Sequence, residues 1–234
     1  MLTTLHLFTL PRGRVPLALL RAAADPRRLR STPGVRFAKV LGTGDGRTFT
    51  LRDADPRRWG LLCVWEDEAQ ADAPVIAGWR RIAHEEWRAD LALLHARGRW
   101  ARREPFGAPV ASDHHGYHGH HGHHGLVAAI TRARLRPLRA RTFRRAVPAV
   151  VGDLAEQPGL RFSIGIGEAP IGLQGTFSVW ASAADLTAFA YRGAAHREVV
   201  RRTPQVGWYA EELFARFAVV RTVGTIGGED PVQG

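Results

Sequence analysis

Of 33 basic residues in this 234-residue chain only Lys39 is lysine, and there is one cysteine, Cys63, and one methionine, Met1. A lone cysteine excludes an intramolecular disulfide framework. No run approaches the roughly 20 apolar residues that span a bilayer. The opening Met1-Leu-Thr-Thr-Leu-His has neither the basic n-region nor the apolar h-region of a signal peptide. A soluble, cytoplasmic protein is the expectation. With 45% hydrophobic and 24% charged residues, disorder as the dominant state is excluded, and the length suffices to bury a core.

The 22 acidic residues leave a formal charge of +11. The arginines are scattered, and no zinc-finger, RRM or helix-turn-helix signature accompanies them, so nucleic acid is not an expected partner. Peripheral contact with an anionic membrane fits the charge and needs no motif. A flavin or nicotinamide fingerprint is also lacking. Gly42-Thr-Gly-Asp-Gly46 and Gly165-Ile-Gly167 lie between strand-like stretches instead of opening a helix.

What the chain does contain is a degenerate repeat. Pro33-Gly-Val-Arg-Phe37 returns as Pro158-Gly-Leu-Arg-Phe162, and each is followed by a β-like stretch ending in glycine, at Gly42 and Gly167. A second apolar strand ending in Val-Trp comes next, Leu61–Trp65 and Thr176–Trp180. A helical stretch then holds Ala83-His84-Glu85-Glu86 in one half and Ala195-His196-Arg197-Glu198 in the other. Upstream, Thr3–Leu10 and Leu126–Leu135 are strand-like. Val15–Leu29 is helical with Leu17, Leu20 and Ala24 on one face, and Arg139–Glu156 is helical despite Pro148. Closing strands are expected weakly at Arg99–Arg103 and clearly at Ala215–Val223. The unit is β-α-β-β-α-β, so the predicted fold is α+β: a ferredoxin-like repeat duplicated in one chain, of the dimeric α+β barrel type. The predicted boundaries are 1–108 for the first repeat, 109–125 for a linker, 126–225 for the second repeat and 226–234 for a tail.

Asp113–Gly125 carries seven of the eleven histidines. Glycine at every second or third position prevents a stable helix or strand, so this segment reads as a solvated linker that binds transition metal only opportunistically.

The run Gly165-Ile-Gly-Glu-Ala-Pro-Ile-Gly-Leu-Gln-Gly-Thr-Phe-Ser-Val-Trp180, then Phe189-Ala-Tyr191, His196, Arg202-Thr203 and Trp208–Phe217, closely resembles the spheroidene monooxygenase family. The likeness is strong over about Arg161–Val220, and before Leu126 only the repeat supports it. The resemblance implies a haem b-dependent monooxygenase that inserts oxygen from O₂ into a carotenoid or similarly extended apolar substrate. Electrons would come from an external donor such as ferredoxin. The stretch Phe189–Val200 also resembles the ligand-bearing helix of haem-degrading monooxygenases.

Given haem, the ligand choice runs through His, Cys, Met and Tyr. Met1 is terminal, and Cys63 sits in an alternating strand as a small buried residue. His196 continues the stripe Phe189, Gly193, Val200, so it is the expected iron ligand, with Gly193 leaving room for a flat macrocycle. Tyr209 is the minor alternative. His84, near Arg80, Arg81 and Arg88, is expected at the surface of a helix whose stripe is Ile76, Ala83, Trp87 and Leu94. Arg202, Trp208, Tyr209 and Arg216 are further cofactor candidates, arginine because its fork suits propionate. Glu168 and Gln174 line a mouth or shape a turn, and Glu211 is read equally well as a structural partner of Arg216. A second reading of the chain is a haem or metal carrier without catalysis.

Overall fold

The computed structural model describes residues 1–46, 51–66, 73–107, 125–139, 142–143, 152–168, 175–192 and 206–233. In chain order the elements are β1 (Leu2–Thr9), α1 (Val15–Arg30), β2 (Val35–Gly44), β3 (Ala54–Trp65), α2 (Pro74–Arg80) and β4 (Glu85–Gly98). There follow β5 (Val127–Leu135), β6 (Leu160–Glu168), β7 (Gly175–Trp180), α3 (Ala183–Arg192) and β8 (Tyr209–Gly224). Between β5 and β6, residues 142–143 and 152–155 are helical.

All eight strands join one closed antiparallel barrel in the order β1-β3-β2-β6-β7-β5-β8-β4. Closure removes every sheet edge. The halves meet at two seams: β2 pairs with β6 from Leu41↔Glu168 to Gly44↔Gly165, and β4 pairs with β8 from Trp87↔Gly224 to Gly98↔Leu213. Two independent domains are thereby excluded. Both Pro-Gly turns make the same closure, because the Glu66 N–H donates to the Gly34 carbonyl and the Ala181 N–H to the Gly159 carbonyl, at 2.8 Å each. Gly34 has φ +73°, where a side chain is strained.

Period-two alternation sends one set of side chains inward. Leu5, Leu7, Leu41, Leu62, Val64 and Trp87 from the first half meet Ala128, Ile130, Ile164, Phe177, Val179 and Phe217 from the second in one buried core. The opposite faces point out of the barrel, toward the helices.

Three expectations are corrected. The helix carrying Ala83–Glu86 does not exist: α2 ends at Arg80, and Glu85–Gly98 is a strand whose Trp87, Ala89, Leu91 and Leu93 face the core. The closing strand of the first half is therefore β4, and Arg99–Arg103 forms a turn bridged between Trp100 and Arg103. Finally, α1 buries Ala18, Asp25 and Leu29, while Leu17, Leu19 and Leu20 lie on its exposed side. Ala18 allows close approach to the sheet, and Asp25 is held there by Arg21 and Arg28 at 3.3 and 3.1 Å.

Candidate functional site

The barrel interior is closed at both ends by its own side chains. At one end Glu168 accepts from Lys39 Nζ (2.6 Å), Trp100 Nε1 (2.6 Å) and Arg132 (2.9 Å). Arg132 also pairs with Glu211, which accepts the backbone N–H groups of Ala101 (3.1 Å) and Arg102 (2.7 Å). Burial opposes ionisation of Glu168, but Lys39, Trp100 and Arg132 outweigh it and hold the carboxyl below its usual range. Burial likewise works against Glu211, and its donors again prevail. At the other end, Asp230 accepts from Trp87 Nε1 (3.0 Å) and Thr222 (2.8 Å), and Val232 joins the core. Among the described residues, the interior between these two groups is packed with apolar side chains.

The two outer faces differ. In the first half, Phe8, Val40, Trp59, Leu61, Cys63 and Trp65 pack under α1 and α2 against Ile76 and Trp79. That layer is filled by indole and phenyl rings, and Trp65 donates its N–H to Thr4 at 2.9 Å. Burial pushes the Cys63 thiol up to about 12, so it is not a thiolate ligand. His6 is fully buried here, its Nδ1 2.8 Å from Glu86.

In the second half, cross-strand pairing lines up Ser163, Ser178, Ala129, Arg216 and His95 on one outward row. Among the described residues, the buried apolar cluster beside this row is Val127, Ala129, Trp180 and Leu186, with Leu94, Leu154, Leu160, Ala183 and Phe189 at its margin. The floor is thus made of serine and alanine, and a wall rises from it where Phe189 stacks on Trp180 at 5.3 Å. The indole N–H of Trp180 is satisfied by Ser178 Oγ at 2.9 Å. Ser182 caps α3 by accepting the Asp185 N–H (3.1 Å), which fixes the helix that carries Phe189.

Of the candidate residues, Phe189 and half-buried Arg216 face this floor. Trp208 is fully buried, and its N–H goes to Thr142 Oγ1 at 3.0 Å. With Tyr209 it packs around Phe143, at 5.8 and 5.7 Å, at the start of β8. His196, Gly193 and Arg202 fall in 193–205, outside the described residues, as do Gln174 and the histidines of the linker. Glu168 shapes the plug, and the partner of Glu211 is Arg132 instead of Arg216. His84 is exposed on the turn before β4, its N–H donated to the Thr9 carbonyl. Sequence reasoning missed His95, which the strand pairing sets beside Arg216, and buried His6. The alternation Trp87, Ala89, Leu91, Leu93 was the signal that would have placed His95 on a strand. Among the described residues no group of three or more His, Cys, Asp or Glu is arranged to hold a metal.

The barrel is the α+β type seen in two solved aldoxime dehydratase structures. One matches with TM-score 0.53 and 13% identity over 95% of this chain and 83% of that one; the other, in complex with butyraldoxime, has TM-score 0.52 and 12% identity over 93% and 79%. These likenesses establish the fold. No protein-family profile matches the chain. The spheroidene monooxygenase of Rhodobacter capsulatus is 33% identical over 223 residues, covering 93% of this chain and 89% of that protein. That of Rubrivivax gelatinosus is 36% identical over 198 residues, covering 82% and 72%. The chain belongs to the spheroidene monooxygenase family.

Proposed function

We propose that this protein is a haem-dependent monooxygenase that inserts oxygen into a carotenoid or a similarly extended apolar substrate, using the outer wall of its second half. The observation that carries the reading is the small-residue floor of Ser178 and Ala129, bounded by Trp180 and Phe189 and crossed by Arg216. A flat apolar ring with carboxylate arms fits such a surface: the floor gives clearance, and the guanidinium pairs with a propionate. Among the described residues of the first half, indoles occupy the corresponding outer layer. We also read the shared element order of the halves as a duplicated ferredoxin-like unit.

His196 is the residue we assign to the iron, on the sequence pattern that places it one turn beyond Gly193. Haem, when bound, supplies O₂ activation by external electrons. The chain's own part is to hold the group, exclude water with Trp180 and Phe189, and set the substrate against it. The glycine-rich stretches lie in or at the end of β2 and in β6 and neither opens a helix as a nucleotide cradle does, which supports our reading that electrons come from a separate carrier such as ferredoxin.

The test is the visible spectrum of the purified protein, followed by turnover of an acyclic carotenoid with reductant and O₂. A Soret band that shifts with dithionite and CO, together with an oxygenated product, supports the reading. A colourless protein that cannot be reconstituted with haemin, or product formed equally without haem, overturns it.

A further inference from the structure

The plugged end of the barrel on which Glu168 and Arg132 meet also carries a group of exposed arginines. Beyond Arg132, β5 runs out through Arg134 into a 3-10 turn, Pro137–Arg139, whose Leu138 is 95% exposed. Arg134, Arg136 and Arg139 around it are exposed too. The knuckle is firmly seated. The Arg136 N–H donates to the Trp208 carbonyl (2.8 Å), Arg136 Nε to the Tyr209 carbonyl (3.2 Å), and Thr142 Oγ1 to the Arg139 carbonyl (2.9 Å). A leucine held this far out of the protein by a fixed turn gains nothing in water.

Strand pairing places a second basic feature at the same end. β4 finishes opposite the start of β8, which is also opposite the end of β5, so the turn after β4 lies on this side of the barrel. That turn contributes Arg99, Arg102 and Arg103 to an open cleft of about 520 Å³ that Arg36, Phe37, Glu104 and Pro105 complete. Ala101 and Arg102 adopt φ +53° and +63°, unusual for residues with a side chain, and Glu211 holds both amides there. The strained turn presents guanidinium groups outward, and among the described lining residues Glu104 is the one carboxylate.

We infer that this end of the barrel docks on an anionic lipid bilayer, with Leu138 entering the headgroup and acyl boundary and the arginines pairing with lipid phosphates. The combination selects this occupant. Guanidinium groups around one protruding leucine match a surface that offers negative charge above an apolar phase. A protein partner would want a contiguous apolar patch at its centre, which the arginines around Leu138 interrupt. Nucleic acid offers no apolar phase for the leucine. No helix among the described residues is long and apolar enough to cross a membrane, so the contact is peripheral. The inference extends the proposed function by naming where a lipid-dissolved substrate is met, on the knuckle packed against Trp208 and Tyr209. Its test uses neither substrate nor haem, so either can fail alone.

The experiment is flotation of the full chain with phosphatidylcholine vesicles, with and without phosphatidylglycerol. Binding only to the anionic vesicles, reversed by salt, is expected. Leu138→Ser is expected to lower the partition coefficient about tenfold, and Arg134→Gln with Arg139→Gln about 30-fold, from ~1 kcal/mol per basic group near the surface. Leu20→Ser, which removes an exposed leucine on α1, is expected to change nothing. Circular dichroism confirms that each variant is folded. The inference is overturned if the protein ignores anionic vesicles, if Leu20→Ser weakens binding as much as Leu138→Ser, or if a duplex oligonucleotide binds more tightly than the vesicles.

Discussion

Ala129 stands directly opposite Arg216 across the β5–β8 ladder, on the outward face of the barrel. The proposed haem site takes this methyl group beside a guanidinium as its floor, in a layer where the first half carries Trp59, Trp65 and Trp79. Ala129→Leu therefore adds bulk where the account needs clearance. Haem retained after purification is expected to fall at least tenfold while the fold survives, with a stability change smaller than the ~1–3 kcal/mol typical of overpacking a filled core. Haem per chain and urea midpoints check this together. Full haem content with a large loss of stability would mean that the floor is already packed.

Arg216→Ala, on the same row, is expected to weaken haem retention without unfolding the barrel, because its guanidinium is half-buried on the outer wall. Arg216→Lys should restore little, since lysine lacks the bidentate fork. Haemin titration of the two variants checks this.

Glu168 ties Lys39, Trp100 and Arg132 across β2, β5 and β6. Glu168→Ala is expected to cost about 2–4 kcal/mol, because it takes a carboxylate partner from buried Arg132. The pH dependence follows from the lowered carboxyls of Glu168 and Glu211. Their stabilisation is complete above the unfolded-state pKa, near 4.5, and is lost as pH falls from there through the lower folded values. Denaturation of wild type and Glu168→Ala between neutral and acid pH should show a shallower acid loss in the variant.

His6 titrates with the opposite partner charge but the same direction of loss. Burial pushes its pKa below 6.5, against the pull of Glu86. Folding therefore favours the neutral ring: its stabilisation is full above pH 6.5 and declines below it, by at most about 1.4 kcal/mol per pH unit. His6→Gln is expected to flatten that slope. Melting temperatures at neutral and mildly acid pH measure it.

Much of the barrel was legible because its strands alternate with period two and its Pro-Gly turns mark where they begin. β4 was misread because Ile76, Ala83, Trp87 and Leu94 also satisfy helical spacing, and the break after Arg80 has no proline or glycine to announce it. The helical period of α1 is legible, but which face is buried is not, because close approach to the sheet selects Ala18 and an ion-paired Asp25 over the leucine face. The row Ser178, Ala129, Arg216, His95 was not legible at all. Its members come from four strands, β7, β5, β8 and β4, and adjacency depends on register across a seam that local pattern does not encode.

The most direct measurement is the pyridine haemochrome assay on wild type, His196→Ala and His84→Ala. The account predicts one haem per chain in wild type and in His84→Ala, whose histidine is exposed on a turn, and little or none in His196→Ala. Equal loss in both variants, or full haem in His196→Ala with an unchanged ferric spectrum, would contradict it.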